Sequence, residues 1–186
     1  SIWDKNGGCQ LSGKTVGIIG CGHIGSDVVR LLSPFGCTIL VRDIVDKSDF
    51  CLAQGICAAS LDEIVERSDI ITLHVPLTEL TREMINENFF QRMKSTALLV
   101  NTCRGEVVNE QALKNALSKK VIAGAALDVF IDEPPTDTEF LSLPNLMVTP
   151  HIGGNTREAV EAMGRSAIDH LVAFFKISSN SQMAKN

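Results

Sequence analysis

Short apolar segments alternate with segments of helical periodicity along most of the chain, and this alternation limits the folds that it can adopt. The apolar segments are KTVGIIG (14–20), CTILV (37–41), IITLHV (70–75), TALLVN (96–101), VIAGAALDVF (121–130) and NLMV (145–148). Strands that are apolar throughout, rather than alternately, belong to parallel sheets covered by helices on both faces. The sequence therefore predicts an α/β fold with a doubly wound parallel sheet.

Helices are predicted in most of the intervening segments. Apolar residues recur at helical spacing from Ile24 to Leu32, and Ser33-Pro34 then ends the helix. A weak helix is predicted near 48–54, a helix that starts with a capping box follows Ser60, and another covers 109–118. A long amphipathic helix follows Asn155-Thr156, and IDEPPTDTE (131–139) is a linker-like stretch.

Composition excludes several classes of protein. The net charge is −5 without a basic cluster, which argues against nucleic acid as a partner. No apolar run approaches the roughly 18 residues of a membrane span, and no signal peptide is evident. The six cysteines are irregularly spaced and the four histidines are widely separated, which argues against a disulfide framework and a zinc site. We therefore expect a cytoplasmic protein with reduced thiols.

A glycine-rich motif, Gly20-Cys21-Gly22-His23-Ile24-Gly25, follows the first predicted strand and opens the first helix. Glycines of this pattern also occur in ordinary turns. After a buried strand, however, the first glycine makes the tight turn, the second lets a diphosphate approach the backbone, and the third lets helix and strand pack closely. The context favours a dinucleotide-binding (Rossmann) fold.

Asp43 provides the second part of this signal. It lies eighteen residues beyond Gly25, at the end of the second strand, where an acid accepts hydrogen bonds from the adenosine ribose. A solvated acid at a strand end is the alternative. Arg42 could pair with a 2′-phosphate, but neighbouring strand residues point to opposite faces, so the sequence favours NAD over NADP.

Three polar residues follow predicted strands and could perform chemistry. Arg104 suits a carboxylate, His151 is a candidate general acid and base, and Glu133 could orient a histidine. The alternatives are a solvated loop arginine, a capping or core histidine and a surface acid. Asp132 competes with Glu133, and spacing alone does not choose between them.

Five motifs together resemble the D-isomer-specific 2-hydroxyacid dehydrogenases. They are VGIIGCGHIG, LHVPLT, NTCRGEVVNEQAL, AGAALDVFIDEPP and TPHIGG, in the order and approximate spacing of that family. The resemblance runs from about Leu11 to the final helix, and the motif sequences are most similar to those of the phosphoglycerate dehydrogenase branch.

The resemblance implies catalytic roles for Arg104, Glu133 and His151. No metal site is predicted. The implied NAD contacts are Gly20, Gly22, His23, Ile24, Gly25, Asp43, Val75, Pro76, Thr81, Thr102, Cys103, Arg104, Asp128, His151, Gly153 and Gly154. It further implies reversible oxidation of a 2-hydroxy acid to a 2-oxo acid, and a homodimer. A non-catalytic, NAD-sensing dimeric protein of the corepressor type is the alternative.

The resemblance also implies a division of the chain. Residues 1–10 would be the remnant of a segment leading to a substrate lobe that is otherwise absent, and 11–155 the dinucleotide-binding domain. Residues 156–176 would form a helix that returns toward the substrate lobe, and 177–186 a polar tail. We therefore expect this chain to bind NAD but to turn over slowly or not at all.

Overall fold

The computed structural model describes the backbone of residues 8–183 and the side chains of residues 8–175. Most of the predicted connecting segment at 1–10 lies outside the described residues. The chain divides after Pro150 into two compact units. The first contains the sheet, and the second contains a turn and the last helix.

Seven parallel strands form one sheet in the order β3-β2-β1-β4-β5-β6-β7. Their bounds are Thr15–Ile19 (β1), Thr38–Arg42 (β2), Cys57–Ala58 (β3), Ile70–Leu73 (β4), Leu98–Asn101 (β5), Gly124–Leu127 (β6) and Leu146–Val148 (β7). The predicted doubly wound parallel sheet is confirmed.

Seven α-helices accompany the strands in the described part of the chain. Their bounds are His23–Leu32 (α1), Ser48–Gln54 (α2), Leu61–Arg67 (α3), Glu87–Arg92 (α4), Glu110–Ser118 (α5), Thr138–Leu141 (α6) and Arg157–Met183 (α7). The capping box is present, with Ser60 and Glu63 each accepting a backbone N–H of the other. None of the described helices has both the length and the apolar character needed to span a bilayer.

The structure differs from the sequence expectation where an apolar run is longer than its strand. Within the apolar run 121–130, only the four residues of β6 form a strand. Ile122 and Phe130 lie outside the strand but are only 0% and 6% exposed. Apolar residues therefore report burial here rather than strand length. Helix α6 begins within the linker-like stretch, and α7 continues to Met183, beyond the predicted end at 176.

Two hydrophobic clusters cover the two faces of the sheet. Alternate residues of β1 enter different clusters, with Ile18 in one and Ile19 in the other. Ile19 packs in the cluster of Phe90 and Leu113, while Ile18 packs in the cluster of Val29 from α1. Both faces are thus buried, as the continuously apolar strands predict.

The order of the strands places a switch point between β1 and β4. Strand β2 pairs with one side of β1 and β4 with the other, so the connections that follow β1 and β4 leave in opposite directions. In open parallel sheets, this divergence makes a crevice outside the carboxyl ends of the strands, where ligands bind. The glycine motif follows β1 at this crevice.

Candidate functional site

The glycine turn is packed so closely that two of its positions have no space for a side chain. Gly20 has φ +92°, and a Cβ there would lie 2.5 Å from the carbonyl oxygen of His74. A Cβ on Gly25 would lie 2.1 Å from the carbonyl oxygen of Gly20. By contrast, a Cβ on Gly22 would meet no atom within 4 Å. The turn therefore leaves open space at the middle glycine, as a bound diphosphate requires.

The N-terminus of α1 opens directly behind this space. Gly22 is its N-cap and forms no side-chain capping bond, and the first turn contains no acidic residue. The helix has ten residues, so its peptide dipoles give the N-terminus a partial positive charge. Since no side chain of the helix neutralises that charge, the position is suited to an anionic group such as a phosphate.

A cavity of about 360 Å³ lies beside the glycine turn at the switch point. It brings together Gly20, Gly22, Asp43, Val75, Pro76 and Thr81 from the sequence prediction. Ile44 and Leu80 also line it and remain 87% and 82% exposed, which is unusual for large apolar side chains. Apolar walls with one carboxylate match the needs of an adenosine, a flat base attached to a hydroxylated sugar.

Asp43 is held by the backbone around it. Its Oδ2 accepts a hydrogen bond from the N–H of Cys21 at 2.6 Å, and its Oδ1 accepts one from the N–H of Val45 at 2.9 Å. Burial acts to raise the pKa of this carboxyl, but the backbone N–H groups and nearby Lys47 outweigh it, so the pKa is lowered. Asp43 is therefore a carboxylate at neutral pH. Its bond to the N–H of Cys21 also fixes the backbone directly after Gly20.

Arg42 contradicts the expectation that it points away from Asp43. It ends β2, is exposed, and lines the same cavity as Asp43. Its Nη1 donates a hydrogen bond to the carbonyl oxygen of Asp43. The alternation of strand residues does not extend past the end of β2, and the long side chain folds back over the chain there.

A second cavity, of about 420 Å³, also borders the segment that follows β4. It brings together Ile24, Val75, Pro76, Thr102, Cys103 and Arg104. Val75 and Pro76 line both cavities, and His74 does so as well. An elongated ligand could therefore run from the first cavity past the glycine turn to the second.

Asn101, which the sequence analysis missed, fixes the loop that carries Arg104. Its side chain is 1% exposed, and Nδ2 donates to the carbonyl oxygen of Arg104 at 2.9 Å. Its Oδ1 accepts from the N–H and the thiol of Cys103, both at 3.1 Å. Burial raises the pKa of that thiol, so Cys103 is neutral at physiological pH. A polar residue ending the buried run LLVN was the available signal.

Arg104 and Glu133 belong to two loops that are in contact. The loop after β5 places Gly105 so close to the loop after β6 that a Cβ on Gly105 would lie 2.0 Å from the carbonyl carbon of Phe130. The carboxylate of Glu133 accepts a hydrogen bond from the N–H of Phe130 at 3.1 Å. The structure therefore brings the loops of the predicted arginine and acid to the same edge of the sheet.

Asp128 lies directly after β6 and is 5% exposed. Its Oδ1 accepts a hydrogen bond from the hydroxyl of Thr149, just after β7. This bond joins the carboxyl ends of the two strands immediately before Pro150. Asp128 therefore positions the chain before Pro150. Another predicted cofactor contact, His23, is exposed in the first turn of α1.

The second unit opens with His151, which has φ +53° and is exposed. A left-handed conformation is uncommon for residues other than glycine, although asparagine, aspartate and histidine adopt it more often than the rest, and it is often found at functional sites. The segment with Gly153 and Gly154 continues into a turn in which the N–H of Asn155 donates to the carbonyl of Ile152 at 3.0 Å. Thr156 then caps α7 through its hydroxyl, which accepts from the N–H of Ala159 at 3.1 Å.

His74 gives the first unit a pH dependence that can be measured. Burial lowers the pKa of its imidazole, and Nε2 lies 3.0 Å from the hydroxyl of Thr72. The unfolded chain therefore takes up a proton before the folded one does, near pH ~6.5, and the free energy of unfolding should decrease as the pH falls below that value. We expect the free energy of unfolding, measured with urea, to change less between pH 7 and 5 in the His74→Gln variant than in the unchanged protein.

His170 provides a matched control, since it is exposed on α7. The same substitution there should leave the pH profile of stability as it is in the unchanged protein. Parallel profiles for the unchanged protein and the His74→Gln variant would contradict the role given to burial of His74.

Comparison with known proteins agrees with this arrangement. Residues 1–153 match the model of a family described as "D-isomer specific 2-hydroxyacid dehydrogenase, NAD binding domain". The chain is 44% identical over 168 residues to a glyoxylate reductase of Korarchaeum cryptofilum, covering 90% of this chain and 51% of that protein. It is 42% identical over 165 residues to a D-3-phosphoglycerate dehydrogenase of Methanocaldococcus jannaschii, covering 87% and 32%.

Solved structures show the same similarity. A D-lactate dehydrogenase from Aquifex aeolicus, complexed with NAD and lactic acid, superposes with a TM-score of 0.84 at 35% identity. That match covers 95% of this chain and 57% of the other. The chain thus spans about half the length of several of the relatives that it matches.

Proposed function

Because the chain belongs to the D-isomer specific 2-hydroxyacid dehydrogenase family, we propose that it binds NAD(H) for hydride transfer between the nicotinamide and a D-2-hydroxy acid. The observation that carries this proposal is the glycine turn at the switch point. Gly22 leaves open space in front of the uncapped N-terminus of α1, while Gly20 and Gly25 admit no side chain. The residues present therefore fit a dinucleotide diphosphate.

The two cavities support a proposed assignment of residues to the parts of the cofactor. The diphosphate would lie at Gly22 and the first turn of α1, and the adenosine between Ile44 and Leu80 with its ribose at Asp43. The nicotinamide end would reach the second cavity, at Thr102 and Cys103. When bound, the nicotinamide accepts or supplies the hydride, and the protein supplies orientation and proton transfer.

Three residues of the chain would act on the substrate. Arg104 would bind the carboxylate through its planar guanidinium and polarise the neighbouring carbonyl. In oxidation, the neutral imidazole of His151 would take the proton of the hydroxyl, and in reduction the imidazolium would return it. Glu133 would fix the tautomer of the imidazole and stabilise its charged form.

Binding and turnover can be tested separately. We expect fluorescence titration to show NADH binding by this chain. We also expect glyoxylate, hydroxypyruvate and pyruvate to be reduced far more slowly than about 10 per second, a usual rate for enzymes. The reason is that the chain spans about half the length of its relatives, and we propose that contacts needed for substrate lie in the other half. Failure to bind NADH would refute the proposed function, and turnover at a normal rate would refute the need for a second lobe.

Removal of the carboxylate of Asp43 should weaken NADH binding. Asp43→Ala takes a charged acceptor from the ribose hydroxyls and from the N–H of Cys21. We expect a loss of about 1–3 kcal/mol of binding free energy, measured by titration calorimetry. Asp46→Ala is the matched control, because Asp46 is an exposed acid of the same loop that bonds to Ser48 instead. Equal affinities of the unchanged protein and Asp43→Ala would refute the ribose assignment.

We further propose that the protein is a cytoplasmic homodimer and acts on a small 2-hydroxy or 2-oxo acid, with 3-phosphoglycerate among the candidates. All six cysteines are free thiols, which supports a reducing compartment. Large apolar side chains of α7, such as Met163 and Leu171, are 60% and 59% exposed, which supports a contact with another protein surface. Light scattering measures the oligomeric state, and a monomer at micromolar concentration would contradict the dimer.

A further inference from the structure

We propose that this site accepts the 2′-phosphorylated dinucleotide NADP(H) as well as NAD(H), and that Arg42 recognises the additional phosphate. The inference rests on the proposed cofactor function, because it concerns the same cavity. It assigns to Arg42 the recognition of the 2′-phosphate, which neither the glycine turn nor Asp43 supplies.

The position of Arg42 is the first step. Arg42 ends β2 and lines the cavity together with Asp43, where the ribose hydroxyls would bind. Its Nη1 donates to the carbonyl oxygen of Asp43, so the guanidinium stays beside that residue. A guanidinium has five N–H groups, and this bond uses one of them. The others are available in the planar arrangement that suits two oxygens of a phosphate.

The state of the Asp43 carboxylate is the second step. A carboxylate at this position repels a 2′-phosphate, which is why such an acid usually indicates NAD. Here both carboxylate oxygens already accept backbone N–H groups, from Cys21 and Val45, at 2.6 and 2.9 Å. These bonds fix the orientation of the carboxylate and offset part of its charge, while each oxygen keeps a lone pair for a ribose hydroxyl.

The other charges around the cavity are the third step. Lys47 lies close enough to Asp43 to help the backbone N–H groups lower the pKa of that carboxyl against the effect of burial. The nearest further acid in this loop, Asp46, accepts hydrogen bonds from the N–H and hydroxyl of Ser48, at 2.9 and 2.6 Å. Arg42 and Lys47 therefore balance the charges of the Asp43 and Asp46 carboxylates, and within the cavity lining the guanidinium of Arg42 is the cation that a phosphate would meet.

Fluorescence titration with NADPH and NADH tests the inference by binding alone. We expect the unchanged protein to bind NADPH within about 30-fold of NADH. Arg42→Ala should weaken NADPH binding by about 10- to 100-fold, because a charge-assisted contact to phosphate is lost, and should change NADH binding by less than about threefold. Arg42→Gln keeps a donor for the carbonyl of Asp43 and serves if the alanine variant does not fold.

Arg30→Ala is the matched control. Arg30 is another exposed cation near the turn, but it pairs with Asp27 at 2.6 Å and stacks on Phe50. Its loss should leave the ratio of the two affinities unchanged. NADH binding with NADPH more than about 1000-fold weaker would overturn the inference and leave the proposed function standing. Equal weakening of both ligands by Arg42→Ala, or the same selective loss in Arg30→Ala, would also overturn it. Binding of neither ligand would refute the proposed function itself.

Discussion

Gly25→Ala should strongly weaken dinucleotide binding and destabilise the first unit by about 3 kcal/mol. The new Cβ would lie 2.1 Å from the carbonyl oxygen of Gly20, and that atom belongs to the backbone of the turn. No rotation of a side chain can relieve this contact, so β1 and α1 must separate. Urea unfolding measures the loss of stability, and NADH titration should show affinity reduced by at least about 100-fold.

Gly22→Ala in the same turn separates folding from binding. A Cβ at Gly22 meets no protein atom within 4 Å, and its φ of −77° is allowed for alanine. Its stability should therefore stay within about 0.5 kcal/mol of the unchanged protein. NADH affinity should nevertheless fall by about 10- to 100-fold, because the methyl group occupies the space assigned to the diphosphate. Normal NADH affinity in this variant would show that the diphosphate lies elsewhere.

Gly105→Ala should cost about 3–5 kcal/mol of unfolding free energy, the largest loss of stability that we expect from a single methyl group. The added Cβ would lie 2.0 and 2.3 Å from the carbonyl carbon and oxygen of Phe130. The loops that carry Arg104 and Glu133 would have to move apart. The urea midpoint at an unchanged m-value measures the effect.

Gly164→Ala is the control for this prediction and should change stability in the opposite direction. Gly164 lies within α7, and a Cβ there meets nothing within 4 Å. Alanine is favoured over glycine inside a helix by about 1 kcal/mol. An unfolding midpoint of Gly105→Ala equal to that of the unchanged protein would mean that the two loops are not in contact as described.

The glycine turn, to which the proposal assigns the diphosphate, could be predicted because its signals are local. The strand, the three glycines and the helix occupy consecutive positions from Thr15 to Leu32, so their spacing in sequence is nearly their spacing in space. The capping box of Ser60 and Glu63 is local in the same sense. Such patterns depend on hydrogen bonds and steric limits within a few residues, and distant packing changes them little.

Other parts of the candidate site could not be predicted, because residues far apart in the sequence define them. Arg42 is the last residue of β2 that pairs with β1, and it lines the cavity because its side chain turns back to bond to the carbonyl of Asp43. His74 lines both cavities only because β4 pairs with β1. The run LLVN marks Asn101 as a polar residue at a strand end, but its support of Arg104 follows only from its three hydrogen bonds.

The sequence by itself determined the alternation of strands and helices, the glycine turn and the acid at the end of β2, since periodicity and steric requirements are written in neighbouring residues. The tertiary structure alone decided that β1 and β4 are neighbours, and therefore where the crevice opens. It also decided that Gly105 touches Phe130, which brings together loops more than twenty residues apart. Pairing between distant segments depends on the packing of the whole sheet, and no short stretch of the chain encodes it.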